Sequence, residues 1–222
     1  MSTTTVAGDL ASFTRQALAG LRMLLAFTLV LGLGYPLVVT GISQVAMPWQ
    51  ANGSLVRADG TRADQRGGDV VGSALIGQGV EGEEWFHPRP SAAGEGYDTL
   101  ASAGSNLGPL NPDLVAAIEE RRATIAEEDG VDPADVPADA LTASASGLDP
   151  HISPQYAAIQ VARVAQARGQ SDDVVADLVA EHTAGRDLGV LGEPRVNVLE
   201  LNLALAGLGG AEADGTPGSA AD

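Results

Sequence analysis

The sequence predicts a single N-terminal transmembrane α-helix followed by one α+β extracytoplasmic domain. Three observations carry that expectation. First, the stretch Met23–Met47 holds no charged residue, and the nearest charges are Arg22 and Arg57. About 20 apolar residues suffice to cross the hydrocarbon core, and a charge in mid-bilayer costs roughly 3 kcal/mol or more, so a gap of this length reads as a span. Second, the rest of the chain alternates short extended stretches and capped helical segments with Gly- and Pro-rich connections. Third, Arg22 abuts the span, and the positive-inside rule then favours a cytoplasmic N-terminus and an outer domain. A cleaved signal peptide would have an apolar region of only about 7–15 residues before a small-x-small pair. Gly41 and Ser43 make a poor pair of that kind, so the helix is expected to be retained.

In order along the chain, residues 1–22 form a short cytoplasmic head with Arg15, Arg22 and one acid, Asp9. Residues 23–47 form the transmembrane helix. Gly34 and Gly41 lie seven residues apart and share a helix face with Val38 between them, a face where a partner helix can approach closely. Pro36 removes a backbone donor and is expected to kink the helix, and Trp49 suits an interfacial anchor. Residues 48–208 form the α+β domain. Asn52-Gly53 is a turn signal, Leu55-Val56 opens an extended stretch, and 59–68 reads as a polar loop. VVGSALIGQ (70–78) reads as a strand interrupted by glycine. The 80–112 region is Gly-, Pro- and Ser-rich, yet Trp85, Phe86, Tyr97 and Leu107 require burial, so it is expected to be an ordered loop.

Asn111 caps a helix with Pro112 at its first position, with Leu114, Ile118 and Ile125 on one face, and Gly130 ends it. Residues 128–140 are acidic and Pro-rich, hence a loop. Ser153 with Pro154 starts a second helix that Gly169 ends. Ser171 caps a third, where Asp172 and Asp173 complement the helix dipole and Val174, Val175, Leu178 and Val179 face inward. VNVLELNLAL (196–205) alternates like a strand, yet Asn197 and Glu200 fit a capping box, and helix is the chosen reading. Residues 209–222 read as a disordered tail.

Composition excludes more than any motif asserts. The net charge is −17, and beyond the span 10 arginines face 28 acids, a formal charge of −18 on the domain. That argues against nucleic acid and anionic lipid surfaces as partners. The acidity is read first as a solubility feature, and second as a means of concentrating cations nearby. There is no cysteine, so thiol catalysis, disulfides and thiolate metal sites are excluded. There is no lysine either, and all 12 basic residues are arginine. A Walker-A loop, a Ser-x-x-Lys hydrolase and a Schiff-base enzyme each need that lysine.

Candidate chemistry is correspondingly thin. His87, His151 and His182 match no metal-ligand spacing, no Gly-x-Ser-x-Gly elbow is present, and no catalytic residue is assigned. GSALIGQ (72–78) resembles a phosphate loop only superficially and reads as turn and strand. The densest unusual stretch is LTASASGLDPHISPQYA (141–157). A Ser/Gly loop before a helix N-terminus can bind an anion, although a tight turn needing small residues explains it as well.

That segment, with YP (35–36), PWQANGSL (48–55), GSALIGQ (72–78), FHPRPSA (86–92), GSNL (104–107), NP (111–112), RVAQARG (163–169) and VNVLELNLAL (196–205), resembles the C-subunit family of the Kdp-type potassium-transporting P-type ATPases. The resemblance runs from about Leu24 to Leu205. It implies a non-catalytic accessory subunit of a high-affinity, ATP-driven potassium uptake complex in the cell membrane. The implied partners are a channel-like potassium-translocating subunit, a P-type ATP-hydrolysing pump subunit and a small single-span subunit, together with membrane lipid. The implied roles are assembly and stability, action at the outer ion entrance, or a catalytic chaperone's role in raising the pump's affinity for ATP. In the last of these the serine-rich segment contacts nucleotide, which points to Ser144, Ser146, Gly147 and Gln155. No metal site is implied; K+ is cargo of the complex, and ATP is the only cofactor implied. Without the resemblance, the residues describe a membrane-anchored extracytoplasmic domain that binds a ligand or protein.

Overall fold

The computed structural model describes residues 4–63 and 68–211. The chain divides between Asn52 and Gly53 into two compact units.

The first unit is almost entirely helical. Helix α1 (Thr4–Leu29) passes through a wider π turn (Val30–Gly34) into α2 (Tyr35–Ala46), and a single turn, α3 (Pro48–Ala51), follows. The apolar helical run Leu10–Ala46 is 37 residues long and apolar enough to cross a membrane, and none of it is buried by the chain itself. At about 1.5 Å per residue the charge-free part beyond Arg22 already exceeds the ~30 Å hydrocarbon core. The segment before Arg22 is helical too, continuous with α1 from Thr4. The expected perturbation at Pro36 falls one turn earlier, as the π turn. Tyr35 N–H bonds to Val30 O, five residues back. Widening the turn accommodates a ring that clashes with the preceding carbonyls and cannot donate. At the far end, Asn52 and Gln44 exchange two side-chain amide bonds (3.2 and 3.1 Å), and Asn52 also donates to Pro48 O at 2.7 Å.

The second unit is α+β with two small antiparallel sheets. Strands β1 (Leu55–Arg57) and β2 (Val70–Ser73) pair with a bulge between Val56 and Arg57. Strands β3 (His151–Ile152), β4 (Thr183–Ala184) and β5 (Arg195–Asn197) form a sheet in the order β3-β5-β4. The helices are α4 (Pro112–Asp129), the short α5 (Ala138–Leu141), α6 (Pro154–Arg168), α7 (Asp172–Glu181) and α8 (Val198–Ala211). Helix α6 packs on α4 and α7, and α7 on α8. Phe86, Ile152, Val164, Val175, Val196, Leu201 and Leu205 fill the core, each essentially inaccessible.

The expected caps are present. Asn111 accepts Asp113 N–H, Ser153 accepts Tyr156 N–H and Ser171 accepts Val174 N–H, while Gly130 and Gly169 end α4 and α6 in the left-handed conformation. Four expectations are corrected. The strand beginning at Val70 stops at Ser73, because Ser73 Oγ donates to Gly53 O and accepts Leu75 N–H, which turns the chain. Leu107 and Val174 are exposed rather than buried. On α7 the inward arc centres on Val175 and Val179, and Val174 lies a step of about 100° outside it. The 128–140 loop contains a 3₁₀ turn (Pro133–Asp135) and α5. The 196–205 stretch is both readings in succession. It is strand to Asn197, whose side chain accepts Glu200 N–H at 3.1 Å, and helix from Val198. Of the tail expected at 209–222, residues 209–211 continue α8, and 212–222 lie outside the described residues, as do 64–67 of the polar loop.

Candidate functional site

The serine-rich loop joins α5 to β3 and is fixed by its neighbours. Thr142 Oγ1 donates to Ala138 O at 2.9 Å. Ser144 and Ser146 hydroxyls sit 3.4 Å apart, and Ser146 Oγ accepts Leu148 N–H at 3.1 Å. The loop's carbonyls are bonded from the 91–104 segment: Ser91 Oγ donates to Gly147 O at 2.7 Å, and Ser102 Oγ to Ser146 O at 2.9 Å. Ser91 Oγ also accepts the amides of Tyr97 and Ala93. Gly147 has a φ of 67°, and a Cβ there would lie 2.6 Å from Ala93 N. Small residues are therefore required where two loops touch backbone to backbone.

Gln155 is exposed on the first turn of α6 and lines a cleft of about 550 Å³ with Arg89, Asp139, Asp149, His151 and Arg195. Ser144, Ser146 and Gly147 are not among the residues lining it. The α6 N-terminus carries a carboxylate of its own chain: Asp139 accepts both Ser153 N–H (2.7 Å) and Ser153 Oγ–H (2.8 Å). An anion is favoured at a helix N-terminus, and Asp139 occupies that place. The cleft's arginines are paired as well, Arg89 with Asp149 at 2.9 Å and Arg195 with Asp187 at 3.2 Å. Burial pushes the Asp149 carboxyl up, but hydrogen bonds from His151 and the charge of Arg89 outweigh it and hold the group below the usual carboxylate range. Tyr97 donates to Arg89 O at 2.5 Å, and burial, aided by the Asp149 charge, pushes its phenol up to about 12.

A second polar assembly holds the 83–87 segment against α6 and α8. Asn202 of α8 accepts Phe86 N–H and donates to Phe86 O, both at 2.9 Å. Gln160 of α6 accepts His87 N–H at 2.6 Å and donates to His87 O at 3.2 Å. Two side-chain amides thus pair consecutive residues as a neighbouring strand would. Arg163 donates to Asp129 (2.7 Å), Glu83 O and Trp85 O, with its side chain 8% exposed. Burial raises the Asp129 carboxyl, and the bond from Arg163 opposes it. Arg168 bonds Glu84 O and lies 4.2 Å above the Trp85 ring. No sequence motif marks Asn202, Gln160 or Asp129 as structural anchors. Asn202 and Gln160 carry one signal, a polar residue among apolar neighbours on a helix, whereas Asp129 is one of three consecutive acids at the end of α4 and carries none.

Beside this strap lies a cavity of about 180 Å³ lined by Trp85, Val80, Pro88, Val198 and Leu199. Among the described residues, no group of three or more His, Asp or Glu side chains is placed to hold a metal ion. His87 Nε2 lies 2.9 Å from Gly82 O, and His182 Nδ1 lies 2.9 Å from Leu178 O. On the apolar helix, Gly34, Val38 and Gly41 remain open. A Cβ at Gly41 would meet nothing within 4 Å, and one at Gly34 only its own helix.

One helix long and apolar enough to cross a membrane is followed by a small α+β unit in which the buried Asn202, Gln160 and Asn197 side chains hold loop backbone, the class of a membrane-associated chain with a cross-braced domain. The chain belongs to the KdpC family, the c chain of the K+-transporting ATPase, whose pattern matches residues 17–207. Among its relatives, the potassium-transporting ATPase KdpC subunit of Kineococcus radiotolerans is 59% identical over 196 residues, which is 88% of this chain and 95% of the relative. The subunit of the same name from Beijerinckia indica is 56% identical, covering 82% of this chain and 88% of its own. That from Mycobacterium tuberculosis strain H37Rv is 52% identical, covering 86% and 97%.

Proposed function

We propose that this chain is an accessory subunit of a potassium-transporting ATPase complex, with a cytoplasmic N-terminus and an extracytoplasmic domain, and that it acts by assembling and stabilising the complex. The observation that carries this is the family match along residues 17–207, span and domain together. Its partners in this reading are a channel-like potassium-translocating subunit, a P-type pump subunit and a small single-span subunit, with K+ as cargo of the complex. The open face at Gly34, Val38 and Gly41 is the docking place for a partner's transmembrane helix. The domain boundaries follow the same reading: head 1–22, span 23–47, domain 48–208 and tail 209–222.

Assembly is favoured over nucleotide contact by the geometry of the serine-rich loop. Its small residues meet the 91–104 backbone, Asp139 fills the α6 N-terminus, and Gln155 faces a cleft whose arginines are paired. An outer domain is also separated from cytosolic ATP. Topology tests this directly, because the chain has no cysteine and Ser146→Cys gives a single reporter. A membrane-impermeant maleimide labels that thiol in intact cells if the domain is outside. Labelling only after lysis reverses the orientation and favours the ATP-affinity role. Gln155→Ala supplies the functional arm: the half-saturating ATP concentration of the complex stays unchanged under the assembly reading and rises under the chaperone reading.

A further inference from the structure

A second broad cleft, of about 710 Å³, lies between the 79–97 segment, α4 and α6, and shares only Arg89 with the cleft that Gln155 lines. Val80, Pro88, Pro90, Ile125 and Ala140 give it largely apolar walls. Two polar side chains in it keep unused donors. Tyr156 of α6 is 4% exposed. Its backbone donates to Ser153 Oγ and accepts from Gln160 Nε2, but its hydroxyl has no partner among the described residues. Arg121 of α4 is half-buried and donates one bond, from Nη1 to Leu141 O at 2.9 Å. It has no carboxylate partner among the described residues, in a domain of 28 acids and 10 arginines where Arg89, Arg122, Arg163, Arg186 and Arg195 each have one. The neighbouring polar groups are engaged: the Tyr97 hydroxyl donates to Arg89 O, Ser91 Oγ to Gly147 O, and Arg89 pairs with Asp149. Glu81, the acid among the lining residues, is exposed, so water screens its charge. Unused donors in an apolar cleft are a cost that an acceptor from outside the chain removes.

We infer that this cleft binds a carboxylate carried on a small apolar body, with Arg121 as its cation, the Tyr156 hydroxyl as a neutral donor and the apolar walls around the rest. One uncompensated arginine matches one negative charge. A polyphosphate brings several, and the acidic domain repels it. Burial, aided by the Asp129 charge, pushes the Tyr156 phenol up, so it stays protonated and donates at neutral pH. Such a carboxylate has two sources, a free monocarboxylic acid or a Glu or Asp side chain of another subunit, and the second source rests on the subunit reading above.

The test is isothermal titration of the full chain in detergent with butyrate and, at matched ionic strength, with butyramide, its uncharged analogue. Butyrate is expected to bind with a millimolar Kd, as its few atoms allow, and butyramide to bind far more weakly. Arg121→Gln and Tyr156→Phe are each expected to raise the butyrate Kd about tenfold. The hydroxyl that Tyr156→Phe removes has no partner, so this variant keeps the wild-type melting temperature, which separates lost binding from lost fold. No butyrate binding, equal binding of butyramide, or a Tyr156→Phe Kd within about twofold of wild type overturns the inference. Titration of the purified complex then separates the sources. Butyrate binding that persists there assigns the cleft to a free acid, and binding that is abolished assigns it to a partner's acidic side chain. If the tagged wild-type chain recovers no ATPase subunit, the subunit reading and the second source fail together, while the titration of the chain alone still decides the cleft.

Discussion

Asn202→Ala probes the strap that the sequence did not announce. Asn202 is 7% exposed, Phe86 is wholly buried, and the Asn202 amide supplies a hydrogen-bond partner to both polar backbone groups of Phe86 at 2.9 Å. Truncation leaves a buried N–H and a buried C=O without those partners, at about 1–3 kcal/mol each. Alanine's better helix propensity returns less than about 1 kcal/mol. The net loss is about 1–6 kcal/mol, a large share of a typical total of about 5–15 kcal/mol. For a domain of this size that lowers Tm by roughly 2–24 °C. Thermal unfolding of the full chain in detergent, followed by tryptophan fluorescence, reads the change, since Trp85 adjoins the strap under Arg168. Gln166→Ala on the exposed face of α6 is the control and costs less than about 0.5 kcal/mol. An Asn202→Ala shift no larger than the control's would refute the reasoning, because it would mean that the Phe86 backbone finds other partners at no cost.

Two further outcomes follow from the serine-rich loop. Gly147→Ala places a Cβ 2.6 Å from Ala93 N at a φ of 67°, whereas Gly130→Ala at 65° meets nothing within 4 Å. Both carry the left-handed penalty of about 1–2 kcal/mol, and only Gly147→Ala adds displacement of the 91–104 segment, so it shows the larger loss and faster proteolysis of that segment. Asp149 has a folded-state carboxyl below its unfolded value, so its stabilisation is complete above the unfolded pKa of about 3.9 and fades as pH falls through the lower folded value. The destabilisation caused by Asp149→Asn therefore shrinks on acidification below about pH 4. Denaturation midpoints of variant and wild type across that range check it; a gap that widens there contradicts the assignment. Asp129, raised by burial, has the opposite sign: its contribution is present below the unfolded pKa and lost as pH rises through the folded one.

The sequence by itself determined whatever rests on local chemistry. A charge-free run too long for a soluble loop, Asn111, Ser153 and Ser171 as caps, and Gly130 and Gly169 as stops all act within a few residues of themselves, and the helices sit where those residues put them. The residue blocks quoted for the family resemblance lie in order within residues 17–207, and the family match follows from that order. Tertiary structure decided what depends on partners distant in the chain. Phe86 is buried because Asn202, 116 residues away, satisfies its backbone, and His87 is fixed by Gln160 at a separation of 73. Leu107 and Val174, apolar in a row of letters, are exposed, because burial is set by what packs on a residue and not by its type. The serine-rich stretch and Gln155, adjacent in sequence, face different surroundings because Asp139 takes the helix N-terminus and the 91–104 loop takes the small residues. Periodicity and caps report the chain's conformation, whereas the occupant of a capped end or an apolar face is set by whichever distant segment folds against it.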